Sequence, residues 1–263
     1  MIIRFVTGAG GVLLAGSLAA QLAFSGNTMV IDFDTTLSGV NNGRFTGGGF
    51  APAPSTGQLD SDAWAITGLS DGDLAFGGTG SSGDFARGSS TGGVITGGIY
   101  AFQVGGAADV GLGFQPTTDD LTSGTITLKV QNTSGAPLTT VRVSYDLYCY
   151  NDQGRANSVK FSYSTDDTTY TAVSALDYTS PEAADSSPAW EETDRVATLS
   201  FSVAAADYFY LRWTTADVSG SGSRDEFALD DITVSVPEPG ATAGVGALAL
   251  TGLVLFRRRR AGA

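Results

Sequence analysis

The chain has 263 residues, no histidine, one cysteine, and 27 acidic against 14 basic residues, for a net charge of −13. Without histidine there is no Ser-His-Asp or Cys-His catalysis and no imidazole metal ligand; with Cys149 alone there is no internal disulfide, zinc knuckle or Cys-x-x-Cys redox pair. The negative charge argues against nucleic acid as a partner, and 36 glycines, about twice the usual ~7% share, favour turns between short strands over helices.

In chain order, residues 1–25 read as a secretory signal helix. Arg4 gives the positive start, residues 12–20 supply the apolar centre, and Ala23-Phe24-Ser25 fits the small-x-small cleavage rule, so the mature chain is expected to begin at Gly26. Residues 26–236 form one domain, long enough to bury its own core without disulfides. Removing Glu238 from the acids, and Arg4 and the four terminal arginines from the bases, leaves 26 against 9, or −17. Such a domain disfavours anionic surfaces and favours cations.

Within the domain, Val30-Ile31-Asp32-Phe33-Asp34 alternates, turning Ile31 and Phe33 inward and Asp32 and Asp34 outward. Residues 39–57 and 77–98 are rich in Gly, Ser and Thr around Phe45, Phe50, Phe76 and Phe85, and read as long loops with short edge strands. Residues 125–130 place Ile126, Leu128 and Val130 on one face, and 141–147 do the same with Val141, Val143, Tyr145 and Leu147. Cys149, between two tyrosines, reads as buried packing. Residues 159–163 and 170–173 form a hairpin turned by Asp166-Asp167, because Asp tolerates turn conformations. Strands at 198–203, 208–214 and 232–236 complete the series, and no stretch between the two ends keeps a helical period. The expected fold is all-β, an antiparallel two-sheet β-sandwich of jelly-roll type.

Two segments resemble extracellular jelly-roll modules of the MAM, concanavalin-like or galactose-binding-like kinds. Residues 220–234 end in Leu229-Asp230-Asp231-Ile232, similar to the closing segment of such modules. Residues 161–170 are similar to their Tyr-Ser-x-Asp-Gly hairpin, with Asp167 where glycine is expected and Tyr170 where tryptophan is expected. The resemblance implies a binding or structural sandwich whose first and last strands meet. That would bring Asp32 or Asp34 to Asp230 or Asp231 as a structural calcium site, since calcium takes carboxylate and carbonyl oxygens.

Two function classes follow. Trp64, Trp190 and Trp213 are the large rings able to stack on sugars. Trp213 alternates with Leu211 and belongs to the core, so Trp190, in an apparent loop at 186–192, is the ligand-binding candidate. A non-catalytic structural or carbohydrate-binding surface protein is therefore favoured, with exopolysaccharide as partner. The alternative is a glycan-active enzyme using a carboxylate pair. Asp60 and Asp62, Asp71 and Asp73, Asp119-Asp120, Asp166-Asp167, Glu191-Glu192, Asp225-Glu226 and Asp230-Asp231 all offer one, yet adjacency in sequence does not set two carboxyls across a cleft.

At the C-terminus, Pro237-Glu238-Pro239 precedes an apolar run at 241–256 and then Arg257, Arg258, Arg259 and Arg260. The run reads as a short transmembrane helix with its arginines held cytoplasmic, which by itself fits a plain tail anchor as well as a processed segment. These three ordered elements resemble the PEP-CTERM sorting signal. The resemblance implies recognition by an exosortase in the inner membrane of a Gram-negative cell, cleavage near the Pro-Glu-Pro motif, and release to the cell surface or extracellular matrix.

Overall fold

A computed structural model describes residues 21–237. The expected signal helix up to residue 20, the C-terminal apolar segment, Glu238, Pro239 and the four terminal arginines lie outside the described residues. Among the described residues no helix is long and apolar enough to cross a membrane.

The principal strands are β1 (Met29–Ile31), β2 (Trp64–Leu69), β3 (Gly72–Leu74), β4 (Gly98–Gln103), β5 (Val110–Gln115), β6 (Thr125–Asn132), β7 (Leu138–Tyr150), β8 (Arg155–Ser164), β9 (Trp190–Val203), β10 (Tyr208–Gly220) and β11 (Glu226–Ser235). The first sheet runs β8, β10, β6, β2, β3, and the second runs β9, β7, β11, β5, β4, with β1 also pairing β11. The described domain is thus an all-β two-sheet sandwich, as its alternating pattern predicts. A small third sheet, Asn41–Asn42, Gln58–Asp60 and Phe50–Ala51, is built from the glycine-rich segment.

Alternation fills the space between the sheets. Ile126, Leu128 and Val130 of β6 face Val141, Val143, Tyr145 and Leu147 of β7, all buried. Tyr145, Phe161 and Trp213 pack edge to face and stacked, with centroids 5.4 to 6.0 Å apart, the geometry that aromatic quadrupoles favour. The Tyr145 hydroxyl donates to the Leu176 carbonyl at 2.5 Å. Cys149 is buried as expected, and burial pushes its thiol up, away from reactivity. Phe45, Phe50 and Phe85 are buried too; the glycine-rich segments are anchored by these rings and are not purely solvated connections.

One observation bears on the expected cleavage after Ser25, and two expectations need correction. Leu22 and Phe24 are core residues: Phe24 is edge-on to Phe209 at 6.3 Å, and Ala23–Phe24 pairs with β6. The fold therefore uses residues that cleavage after Ser25 would remove. Trp190 is not in a loop but opens β9, opposite Tyr150 of β7. Finally, β9, β10 and β11 start earlier or run longer than their apolar alternation indicates. In β9 and at the end of β10 the extra residues are largely open to solvent, whereas in β11 Glu226 to Asp230 are buried on both faces. In neither case does an alternating buried face mark them.

The Leu229-Asp230-Asp231-Ile232 segment holds a β-bulge. The β7 partner register jumps from Asp230 to Thr233 between Asp146 and Ser144, and Asp231 takes φ +45°. The extra residue lets Leu229 and Ile232 both point inward while Asp230 and Asp231 stay on the outer side. As the jelly-roll resemblance implies, first and last strands meet: Ile31 pairs with Ile232 and Met29 with Val234.

Candidate functional site

Two outer faces concentrate chemistry. On the first sheet, burial of Phe209, Leu211 and Trp213 turns Tyr208, Tyr210 and Arg212 outward. Register then lays Ala65, Thr127 and Arg212 in one row and Thr67, Thr125 and Thr214 in the next. Over this hydroxyl-lined floor Phe76 forms a wall, enclosing a groove of about 290 Å³ that also touches Asp167. The Thr67 and Thr125 hydroxyls share a hydrogen bond at 2.8 Å.

One end of the groove is a fixed polar cluster. Arg212 donates Nε to Thr127 Oγ1 at 2.9 Å and a terminal nitrogen to Asp167 at 3.1 Å. Tyr170 gives its hydroxyl proton to the same Asp167 carboxylate. Asp167 holds φ +57° at the turn between β8 and Thr171–Ala172, where the similar hairpins carry glycine. Beside the Phe76 wall, Lys129 Nζ stands 4.6 Å from the Phe76 centroid and 5.4 Å from that of Tyr208. Burial lowers the Lys129 pKa.

The outer face of the second sheet is acidic. Asp146 of β7 lies between Asp194 of β9 and Asp230 of β11, and Tyr148 lies between Glu192 and Ala228. Among the described residues, Asp146, Glu192 and Asp194 are the three carboxylates whose oxygens come within 4.8 Å of one another. Burial, then Glu192 and Asp194, push the Asp146 carboxyl up to about 6. Burial raises Asp230, which is only 4% exposed, to about 9.

Further along this face the rings close in. Trp190 packs against Phe102 at 4.9 Å and Tyr150 at 5.3 Å, and its Nε1 donates to the Thr91 carbonyl at 3.0 Å. Phe102 lies over Gly113, where a Cβ would meet its ring at 2.1 Å. The segment after Ser89–Ser90 is thereby tied onto the sheet, and Trp190, half-buried, holds it there. Trp64 and Trp213 are fully buried.

The four acids expected to hold calcium have these surroundings. Asp32 accepts from the Thr35 amide and hydroxyl at 3.0 Å, and Asp34 pairs with Arg44 at 3.0 Å. Asp230 accepts from the Asp231 amide at 2.8 Å. Burial raises the Asp231 carboxyl, with Asp32, Asp109 and Asp34 adding to the effect. The pairing of β1 with β11 therefore gathers negative charge at the bulge.

The residues missed by sequence reasoning are Phe76, Thr127, Arg212, Asp146 and Tyr148. Outward alternation in β6, β7 and β10 is the only hint of the last four, because their neighbours come from distant strands. Phe76 stands out only as a ring beside a glycine-rich segment.

No protein-family profile and no curated protein matches this chain. Among solved structures, a carbohydrate-binding module specific for non-crystalline cellulose, CBM28, aligns with TM-score 0.35 and 11% identity, over 54% of this chain and 84% of that one. A CBM4 module aligns with TM-score 0.30 and 14% identity, covering 67% and 96%. The CBM22-1 xylan-binding domain from Paenibacillus barcinonensis aligns with TM-score 0.31 and 12% identity, covering 54% and 81%. Alignments this loose transfer no site residue and no ligand.

Proposed function

We propose that the protein is a non-catalytic, exported domain that binds a neutral polysaccharide along the groove beside Phe76. The observation that carries this reading is the groove itself: an aromatic wall over a floor of threonine hydroxyls, closed by the oriented Arg212–Asp167 pair. A sugar ring presents an apolar face and a rim of hydroxyls, and this arrangement offers a partner to each. A net charge of −13 works against uronic-acid or sulfated chains.

The catalytic alternative would have to use the carboxylates that line the groove, Asp73 and Asp167. Asp167, however, is held by Arg212 and Tyr170, and Asp73 accepts from the Gly68 amide at 2.8 Å. A glycosidase sets two carboxyls about 5–10 Å apart on either side of a bound sugar. Asp146, Glu192 and Asp194 instead crowd within 4.8 Å on neighbouring strands of one sheet face. The sorting role proposed for Pro237, Glu238, Pro239 and the terminal arginines rests on sequence alone. It places the domain at the cell surface, where an extracellular polysaccharide is the accessible partner.

Affinity electrophoresis through gels containing neutral or uronate-rich polysaccharides tests the reading, alongside an assay for new reducing ends. Retardation by a neutral polysaccharide, lost in Phe76→Ala, is the expected result. Release of reducing ends, or equal migration in every gel, overturns it.

A further inference from the structure

At one end of the second sheet, buried side-chain oxygens stand without hydrogen-bond donors: Gln115 Oε1, Asn151 Oδ1, Asp152 Oδ1, Asp225 Oδ2 and Glu226 Oε2. Pairing brings Gln115 and Glu226 beside the turn that carries Asn151 and Asp152. Tyr150 lies opposite Glu226, and Phe114 lies opposite Phe227. Gln115, Glu226 and the turn after Tyr150 thus occupy the same end of three adjacent strands, spaced ~4.8 Å apart.

Their burial makes the missing partners costly. Gln115, Asp225 and Glu226 are 0% exposed, and Asn151 is 2% exposed. Neither amide gains by flipping. Gln115 Nε2 already donates to the Pro116 and Arg224 carbonyls at 2.9 and 2.8 Å, and Asn151 Nδ2 donates to the Ala183 carbonyl at 3.0 Å. Both oxygens are therefore held as acceptors. The arginines nearest in sequence, Arg155 and Arg224, are both engaged with Asp217.

The carboxyls repel where nothing separates them. The charge of Asp152 bears on both Glu226 and Asp225. A set made only of oxygens, part carboxylate and part neutral amide, with no counter-charge, matches what a hard cation needs.

We propose that this end of the sheet binds calcium, with Asp152, Glu226 and the Gln115 amide oxygen as direct ligands. Asn151 and Asp225 flank the site and add acceptor and charge. Calcium takes six to eight oxygens and accepts neutral amides and water among them, whereas zinc and the softer metals select nitrogen and sulfur. Glu226 Oε1 also accepts from the Val94 amide at 2.5 Å. The ion would therefore tie the turn after β7 and the start of β11 to the segment that Trp190 holds.

The test is calcium titration of the chelator-treated full chain at pH 7.5, by calorimetry and by thermal melting. One site is expected, and calcium at a hundred times its Kd raises the midpoint by about 5 to 10 °C. Glu226→Gln and Asp152→Asn each weaken binding at least tenfold, while Glu192→Ala keeps the full increment. If Glu226→Gln does not fold, the half-buried Asp152→Asn decides. No heat and no shift in the wild type would mean that Asp152 and Glu226 simply share a proton, and overturns the site. An increment lost in Glu192→Ala but kept in Asp152→Asn moves the ion to the Asp146 cluster and overturns it equally.

Discussion

The Arg212 guanidinium lies 3.6 Å from the centre of the Tyr170 ring while its nitrogens reach Thr127 and Asp167. Three interactions thus fix one side chain at the end of the Phe76 groove. Only a planar fork both stacks on a ring and donates in two directions; an ammonium does not. Arg212→Lys keeps the charge and loses the fork. The expected result is a midpoint lowered by about 2–4 °C, with polysaccharide affinity falling about tenfold, or ~1.4 kcal/mol. Unchanged affinity, measured by calorimetry, would remove Arg212 from the binding groove.

Charge selects among polysaccharides. Acids outnumber bases by 13 over the whole chain, and the second sheet adds a carboxylate cluster on its outer face. A neutral glycan should bind with little salt dependence, because stacking and hydroxyl contacts are not screened. A uronate-rich chain should bind only as salt rises past about 0.15 M, where the Debye length falls below ~8 Å. Tighter binding to the anionic chain at low salt would contradict the groove's assignment.

The sandwich was legible where apolar and polar residues alternate with one face buried, as at Ile126, Leu128 and Val130. It was not legible in β4 and β5, where Gly111 and Gly113 occupy outward positions and erase the polar half of the pattern. Nor was it at Leu229-Asp230-Asp231-Ile232, where strict alternation fails and a bulge restores it. The groove was hidden for a different reason. Thr127 and Arg212 meet across 85 positions of chain, and only strand order, which no local pattern encodes, makes them neighbours.

Packing at the start of the domain argues for a cleavage site earlier than the expected one after Ser25. Phe24 is fully buried against Phe209, and a Cβ on Gly39 would come within 2.6 Å of the Leu22 amide, so residues 21–24 are built into the fold. Each buried side chain contributes about 1.5–3 kcal/mol. The mature N-terminus is expected at or before Gln21, and a chain beginning at Gly26 should melt at least about 5 °C lower. Terminal sequencing of the exported protein checks the first point. A mature chain starting at Gly26 with an unchanged midpoint would show that the Ala23–Phe24 strand is dispensable.

Stability should fall as pH rises from mildly acid to mildly alkaline, measured in chelator. Burial, with Glu192 and Asp194 next, raises the Asp146 carboxyl to about 6 from 3.8, and burial raises Asp230 to about 9. Between the unfolded and folded values the folded state keeps a proton that the unfolded state has released, so each such group lowers stability by up to ~1.4 kcal/mol per pH unit. For Asp146 the loss is complete near pH 6; for Asp230 it continues toward pH 9. Asp225 and Glu226, raised to about 6 and 8, act in the same direction. Asp217 is held low by its hydrogen bond from Arg224, and it works the other way, losing its contribution only as pH drops below the ordinary carboxylate range. Differences between variants separate these groups. Asp146→Asn should flatten the curve between about pH 4 and 6 and leave the alkaline limb intact, while Asp230→Asn should flatten it up to about pH 9. Denaturant unfolding at half-unit intervals reads both. A wild-type stability that is flat or rising from pH 5 to pH 8 would mean that these carboxyls are not buried as charges on the outer face of the second sheet.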